Sequence, residues 1–495
     1  MTVVRADRGR AVLSIKTLKS AGWTVSSKLL GRGIDFFTLL ILARYLSPSD
    51  FGLTALATSL IMIVEMVLEI PLVQALTRLK TLEKKHLDTA FTLGFLRGLL
   101  LLVVICGASW PAAAMYDESR LQSLMMALGV SAFMRGLISP GMVYFMRDLS
   151  FGRVFFIQVV GKVLAAIIAI ALLFNNGGYW AIAGFNVAAA IITCVLSYIV
   201  APYVPAFSLS RFRAFAGFVG WFSLSQLVMA LISQMDRVIL GGGVNQAVFG
   251  RYTMAGDLAV MPTQSLIGPA MQPVMAAFAK FSDDKERLKG AFLKAARVTM
   301  LLSAPACLYI SLAADEIIAL LFDDKWKDAA IFLQLLALTV LPNAYFQPLY
   351  SMALAMDRPR VLFNITVIDL VVRTLFTVAG LYLFSIWGVI GARGIVSIIM
   401  MGVTIWITYK LIGLRIIDQI NNLIPVAVAC LSLLVVTEIV YSILSPFNLP
   451  VLVILALTGT AAGLSYLAGL YVCGVRMNNL MNVSFGATKP VPADD

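Results

Sequence analysis

The sequence predicts an all-α polytopic membrane protein: about 14 transmembrane helices, two parallel six-helix lobes around a central cavity, and two further C-terminal helices. Three observations predict it. The first is composition: 60% of the 495 residues are hydrophobic and 13% charged, and mean hydropathy is +0.92. Soluble domains carry ~45–50% apolar and ~25% charged residues, so soluble, disordered and fibrous classes are excluded. The second is an alternation of basic and non-basic loops. The third is an internal repeat.

A ~30 Å hydrocarbon core takes roughly 20 apolar residues per helix. Fourteen stretches qualify, at 22–45, 51–76, 88–112, 121–145, 154–174, 179–202, 216–240, 247–277, 292–313, 329–355, 361–384, 386–409, 423–444 and 449–474. Between them lie short turn sequences such as Ser47-Pro48-Ser49-Asp50, Asn175-Asn176-Gly177-Gly178 and Gly241-Gly242-Gly243. Alternate loops differ in charge: one set, with both tails, holds 24 lysines and arginines, and the other holds 4 (Arg44, Arg120, Lys325, Lys327). By the positive-inside rule both termini are expected in the cytoplasm of a multi-pass inner-membrane protein. The N-terminal tail shows no short apolar stretch followed by a small-residue cleavage site, so no removable signal peptide is expected.

The net charge of +12 would suggest nucleic acid in a soluble protein. Here most of it is loop charge, and no nucleic-acid partner is expected. Ten basic residues remain inside spans: Lys28, Arg32, Arg97, Arg135, Lys162, Arg237, Arg251, Arg297, Arg373 and Arg393.

Shifted by 198 positions, the chain meets itself at 14 identities between residues 22 and 74. Gly22-Trp23 falls on Gly220-Trp221, Phe51-Gly52 on Phe249-Gly250, and Pro71 on Pro269. At an offset of 207, Arg153 meets Arg360, Trp180 meets Trp387 and Gly184 meets Gly391. Spans one to six are thus repeated in the same orientation as spans seven to twelve, which predicts an axis along the membrane normal and alternating access. The expected division is an N-lobe at 1–210, a C-lobe at 211–415, and the last two helices with a cytoplasmic tail at 416–495. The charges are not repeated: Lys28, Arg32 and Asp35 map onto Gln226, Ala230 and Ser233, and Glu65 and Glu69 onto Thr263 and Ile267. A site laid mainly on the first lobe is expected.

At roughly 2.5–3.5 kcal/mol each, ten basic residues facing lipid would cost on the order of 25–35 kcal/mol. Those near span ends can snorkel; Arg97, Arg135 and Lys162 cannot, and must face a wet cavity or a carboxylate. Lys28, Arg32 and Asp35 are spaced i, i+4, i+7 on one helical face, and Glu65 and Glu69 form a second stripe. Two readings are open: mutual ion pairs joining helices one and two, or a cationic wall with titrating carboxylates. Candidate substrate-binding residues are Lys28, Arg32, Arg97, Arg135, Lys162 and Arg251. Candidate coupling or charge-balancing carboxylates are Asp35, Glu65, Glu69, Asp236 and Asp257. Asp369 and Arg373, spaced i, i+4, read as a local pair. Ten bases against seven acids in the spans favour an anionic substrate, and arginine forks with lysine point charges suit phosphate or pyrophosphate.

Other chemistries find little support. The single His86 lies in a basic loop, which disfavours an embedded histidine-dependent acyltransferase or a histidine metal site. Cys106, Cys194, Cys307, Cys430 and Cys473 lack CxxC spacing and read as small apolar fillers. No P-loop is present. No catalytic residue or metal site is expected, and no cofactor beyond a coupling H+ or Na+.

Four motifs carry a family likeness. Ala43-Arg44-Tyr45-Leu46-Ser47-Pro48-Ser49-Asp50-Phe51-Gly52-Leu53 resembles the junction of helices one and two in Wzx-like polysaccharide flippases of the multidrug/oligosaccharidyl-lipid/polysaccharide superfamily. Residues 236–252, ending Phe249-Gly250-Arg251-Tyr252, resemble their helices seven and eight. Met146-Arg147-Asp148-Leu149-Ser150-Phe151 and Leu321-Phe322-Asp323-Asp324-Lys325-Trp326 are also similar, the last varying a pattern that more often reads Leu-Phe-Gly-x-Lys-Trp. The likeness covers about residues 20–415 and is nearest the colanic-acid and succinoglycan exporter type. It implies a non-enzymatic flippase for undecaprenyl-pyrophosphate-linked repeat units, driven by an ion gradient or the membrane potential. Its partners would be the lipid-linked oligosaccharide, membrane lipid, and a polysaccharide polymerase with chain-length and export machinery. The alternatives are a cation-coupled exporter of small drugs and a membrane-embedded polysaccharide polymerase or ligase. The latter would need a long periplasmic loop, and the longest outer loop here, at about 314–328, is short.

Overall fold

The computed structural model describes residues 30–475 except positions 71, 80, 149, 176, 282, 283 and 448. Lys28 lies outside the described residues, which contain helices and no strand. Nine helical segments among them are long and apolar enough to cross a membrane. Two compact units divide between Thr253 and Met254.

The first unit contains α1 (30–45), α2 (Pro48–Val67), α3 (Leu72–Arg78), α4 (Lys84–Met115), α5 (Ser119–Gly136), α6 (Met142–Arg147), α7 (Phe151–Phe174), α8 (Trp180–Val200) and α9 (Arg213–Gly243). It ends in the first turns of α10 (Gln246–Lys280). A capping box starts α2: Ser47 Oγ accepts the Asp50 N–H at 3.2 Å, the Asp50 carboxylate accepts the Ser47 N–H, and Pro48 sits in the first turn. Helix α4 packs along α5, α7 along α8, and α2 against α9 and α5.

Two predicted spans, 51–76 and 121–145, are broken helices. The first stops at Val67 and resumes at Leu72, where the sequence carries Pro71; the second stops at Gly136 and resumes at Met142, beyond Pro140. Proline offers no N–H and pushes the residue before it out of helical geometry. Glycine sets the contact of α4 with α5: a Cβ on Gly94 would lie 2.6 Å from the Gly136 carbonyl oxygen, and one on Gly136 2.5 Å from that of Gly94. A larger residue at either place would force the backbones apart.

Equivalent positions of the repeat also meet. A Cβ on Gly52 would lie 2.2 Å from the Gln246 carbonyl oxygen, and one on Gly250 1.8 Å from that of Pro48. Pro48 and Gln246, like Gly52 and Gly250, are 198 positions apart. Such reciprocity is the signature of a local two-fold relation.

The second unit continues α10 and adds α11 (Lys285–Leu312), α12 (Ala314–Leu321), α13 (Ala329–Val340), α14 (Phe346–Ala355), α15 (Pro359–Ile412), α16 (Ile416–Asn421), α17 (Ile424–Leu444) and α18 (Val451–Val472). Its core gathers Phe278, Phe292, Tyr345, Leu349 and Met352 around α11. The stretch α15 is two helices that meet at a turn at Phe384 and Ser385, the boundary between the predicted spans 361–384 and 386–409. There the Gly380 and Gly388 backbones touch. Ser385 has φ 54°, and Gly178, 207 positions earlier at the α7–α8 turn, has φ 50°. Both copies thus make this hairpin with one left-handed residue at the same place. The C-terminal pair α17–α18 docks on α11 through Tyr466, whose hydroxyl donates to the Leu301 carbonyl at 3.1 Å, and through Tyr309, which donates to Leu455 at 2.8 Å. Arg297, near a predicted span end, donates to Asn422 Oδ1 at 2.9 Å.

Candidate functional site

The α2 break leaves backbone acceptors without their helical donors. The Glu69 N–H turns to Met66 and the Leu72 N–H to Ile70, so the carbonyls of Glu65 and Leu68 need partners from elsewhere. Arg97 of α4 supplies them: its Nε donates to Leu68 at 2.8 Å, and its terminal nitrogen donates to the Glu65 carbonyl at 3.2 Å and to the Glu69 carboxylate. With 17% of its side chain exposed, Arg97 is the cap of a broken helix, and its charge complements the negative end of that helix. The α5 break is satisfied from α8, where Tyr198 donates to the Leu137 carbonyl at 2.9 Å and Ser197 Oγ accepts the Ser139 N–H at 2.9 Å.

Arg135, the penultimate residue of α5, pairs with Glu65 of α2 and keeps 42% of its side chain exposed. Lys162 of α7 pairs with Asp35 of α1 and donates to the Gly31 carbonyl at 3.3 Å. Within the first unit the carboxylates of α1 and α2 thus engage cations from α4, α5 and α7. Asp35, Glu65 and Glu69 each have a cation from outside helices one and two.

Two adjoining recesses form in this unit. The first, about 740 Å³, is lined by Arg32, Asp35, Arg135 and Lys162, with Thr38, Gln158, Asn186 and Thr193 as uncharged polar neighbours. Three cations face one carboxylate among its described lining residues. The second, about 710 Å³, is lined by Glu69, Arg97 and Arg135 and is otherwise mostly apolar. They share Arg135, Ile138, Gln158 and Thr193.

Arg251 and Asp236 belong to the first unit but line neither recess; Asp236 is buried on α9. Asp257 is exposed on the part of α10 in the second unit. Asp369 and Arg373 pair at 3.0 Å. Charge reasoning missed the polar lining of Gln158 and Asn186. Gln158 stands one turn before Lys162 and so shares its face, which the spacing already contained.

Ion pairs also close the two ends of the unit. At one end Arg120 donates to Glu118 at 2.7 Å, approaches Asp50 at 3.9 Å, and lies 5.7 Å from the Tyr179 ring centroid. This joins three turns that the sequence places on the same side, and the Arg120 hydrogen bond holds the Glu118 carboxyl below its usual range. At the opposite end of α4, Arg211 donates to Glu83 at 2.9 Å, and the Tyr203 hydroxyl donates to Asp88 at 2.6 Å. His86 serves there as a cap, its Nδ1 accepting the Glu83 N–H at 3.2 Å.

The fold is similar to that of the lipid II flippase MurJ in an inward closed conformation, with a TM-score of 0.71 and 15% identity over 94% of this chain and 100% of that one. It is similar also to an inward-facing multidrug resistance MATE family transporter of the MOP superfamily, at TM-score 0.59 and 16% identity over 77% of this chain and 93% of that one. At these identities the likeness establishes the fold. In sequence the chain is 24% identical to an uncharacterized membrane protein in the cps region of Klebsiella pneumoniae, over 83% of this chain and 86% of that one. It is 25% identical to the succinoglycan biosynthesis transport protein ExoT of Rhizobium meliloti, over 65% of each. It is 24% identical to the lipopolysaccharide biosynthesis protein WzxC of Escherichia coli, over 71% of this chain and 72% of that one. A multi-pass helical membrane protein on this fold, matched over residues 41–331 and so over more than half its length, the chain belongs to the family described as "Polysaccharide biosynthesis protein".

Proposed function

We propose that the protein is a flippase that carries a lipid-linked anionic saccharide repeat unit from the cytoplasmic to the periplasmic face of a bacterial inner membrane by alternating access. The observation that carries this reading is the first recess, where Arg32, Arg135 and Lys162 face Asp35 as the one carboxylate among its described lining residues. A phosphate or pyrophosphate entering that wall competes with Asp35 for Lys162 and with Glu65 for Arg135, and arginine binds it bidentately. The carboxylates so released take up a proton or Na+, which couples substrate occupancy to an ion gradient. Polar neighbours such as Gln158 and Asn186 offer hydrogen bonds to sugar hydroxyls. No bond of the substrate is made or broken, so the protein is a carrier and needs no catalytic residue. Loop charge supports cytoplasmic termini, where the basic loops would meet a polymerase or its export machinery.

Deletion of the gene tests this. The lipid-linked unit should accumulate on the cytoplasmic face and surface polysaccharide should be lost, with neither restored by Arg32→Ala or Arg135→Ala proteins that insert normally. Normal surface polysaccharide in the deletant, with drug sensitivity instead, would favour a small-drug exporter.

A further inference from the structure

We propose that the second recess of the first unit is a hydrocarbon-chain site. It takes the first part of the prenyl chain of a prenyl diphosphate carrier, while the diphosphate sits at Arg135 and the saccharide occupies the first recess. This rests on the functional reading above and adds a division of the substrate between two chambers.

The two helix breaks build this chamber. By interrupting α2 and α5 they yield the short helices α3 and α6, and these furnish Leu72, Val73, Leu76, Met142, Val143 and Met146 to its wall, all apolar, with Thr77 the one polar addition. Leu76 and Val143 belong to a buried cluster with α4, so that part of the wall is firmly packed, whereas Val73 is 40% exposed. At about 710 Å³ it lies within the ~300–1,000 Å³ range of ligand sites. Of its charged side chains Glu69, Arg97 and Arg135, Arg135 also lines the first recess and keeps 42% of its side chain exposed. Arg97, which shares Glu65 with Arg135 as a partner, is held by Leu68, Glu65 and Glu69. A cation at the junction of a polar chamber and an apolar one fits an amphiphile whose anionic group lies between a sugar and a hydrocarbon. An inorganic anion or a free saccharide would leave the apolar chamber unused.

The test is photocrosslinking of the full protein in lipid nanodiscs, with a prenyl diphosphate carrying a diazirine on the isoprene unit next to the diphosphate. Mass spectrometry should map the crosslinks to α3 and α6, and unlabelled prenyl diphosphate should compete while excess phosphatidylglycerol does not. Val73→Trp, at an exposed position, should cut these crosslinks about fivefold or more by filling the chamber; Val73→Ala should not. Crosslinks confined to α1 and α7, equal competition by phosphatidylglycerol, or a Val73→Trp protein that crosslinks normally would each overturn the chain site and leave the functional reading standing. No competable crosslink anywhere in the first unit would overturn both.

Discussion

Arg97 and Arg135 each precede a glycine of the α4–α5 contact, yet their surroundings give them different work. Arg97 spends its donors on two backbone carbonyls and Glu69, while Arg135 has Glu65 on one side and open space on the other. The sequence flags both as charges without an escape to the interface, and the i, i+4 pair Asp369–Arg373 is legible because one helix face contains it. The partner of Lys162 is not legible, since Asp35 lies 127 residues away and only packing brings them together. The pairs are partly exposed, and exposed pairs contribute only ~0–1 kcal/mol to stability. The Glu65→Arg/Arg135→Glu exchange should therefore keep wild-type thermal stability within about 1 kcal/mol while abolishing export. Exchange proteins that export normally would show that Arg135 serves only as a structural partner.

Among elements, the sequence announced its breaks through Pro71 and Pro140, but a hydropathy pattern reads straight across them, which is why 51–76 and 121–145 looked continuous. What fills the gap depends on side chains from other helices, Arg97 in one case and Tyr198 with Ser197 in the other. The repeat, by contrast, was legible down to single turns, since Gly178 and Ser385 occupy equivalent positions in both sequence and backbone. A serine in left-handed geometry costs roughly 1–2 kcal/mol that glycine does not, and glycine returns part of that as chain entropy, ~0.5–1 kcal/mol. Ser385→Gly should therefore raise the melting temperature in detergent by up to a few degrees, and Gly178→Val should lower it. A Ser385→Gly protein less stable than wild type would mean that the serine side chain makes a contact outweighing the backbone strain.

For the whole molecule, the alternation of basic loops grouped turns that the first unit does bring to common ends, one tied by Arg120 and the other by Arg211. Charge asymmetry reads this topology well because each misplaced span would invert every later loop. The Arg120 end also carries a pH dependence. Glu118 has a lowered pKa when folded, so its stabilisation is complete above the ordinary carboxylate value of ~4.3 and fades as pH falls through the lowered one. Melting curves between neutral pH and pH 3 should show a smaller acid loss for Glu118→Gln than for wild type; equal losses would remove the pair from the account.

The proposal that an anionic head crosses through the cationic recess is tested most directly by translocation in proteoliposomes. Purified protein should move a fluorescent prenyl-diphosphate-linked saccharide to the far leaflet, and Arg135→Ala with Lys162→Ala should slow it by on the order of a hundredfold, as expected for two charge-assisted contacts of ~1.5 kcal/mol each. Translocation at the wild-type rate by that double variant would contradict the account.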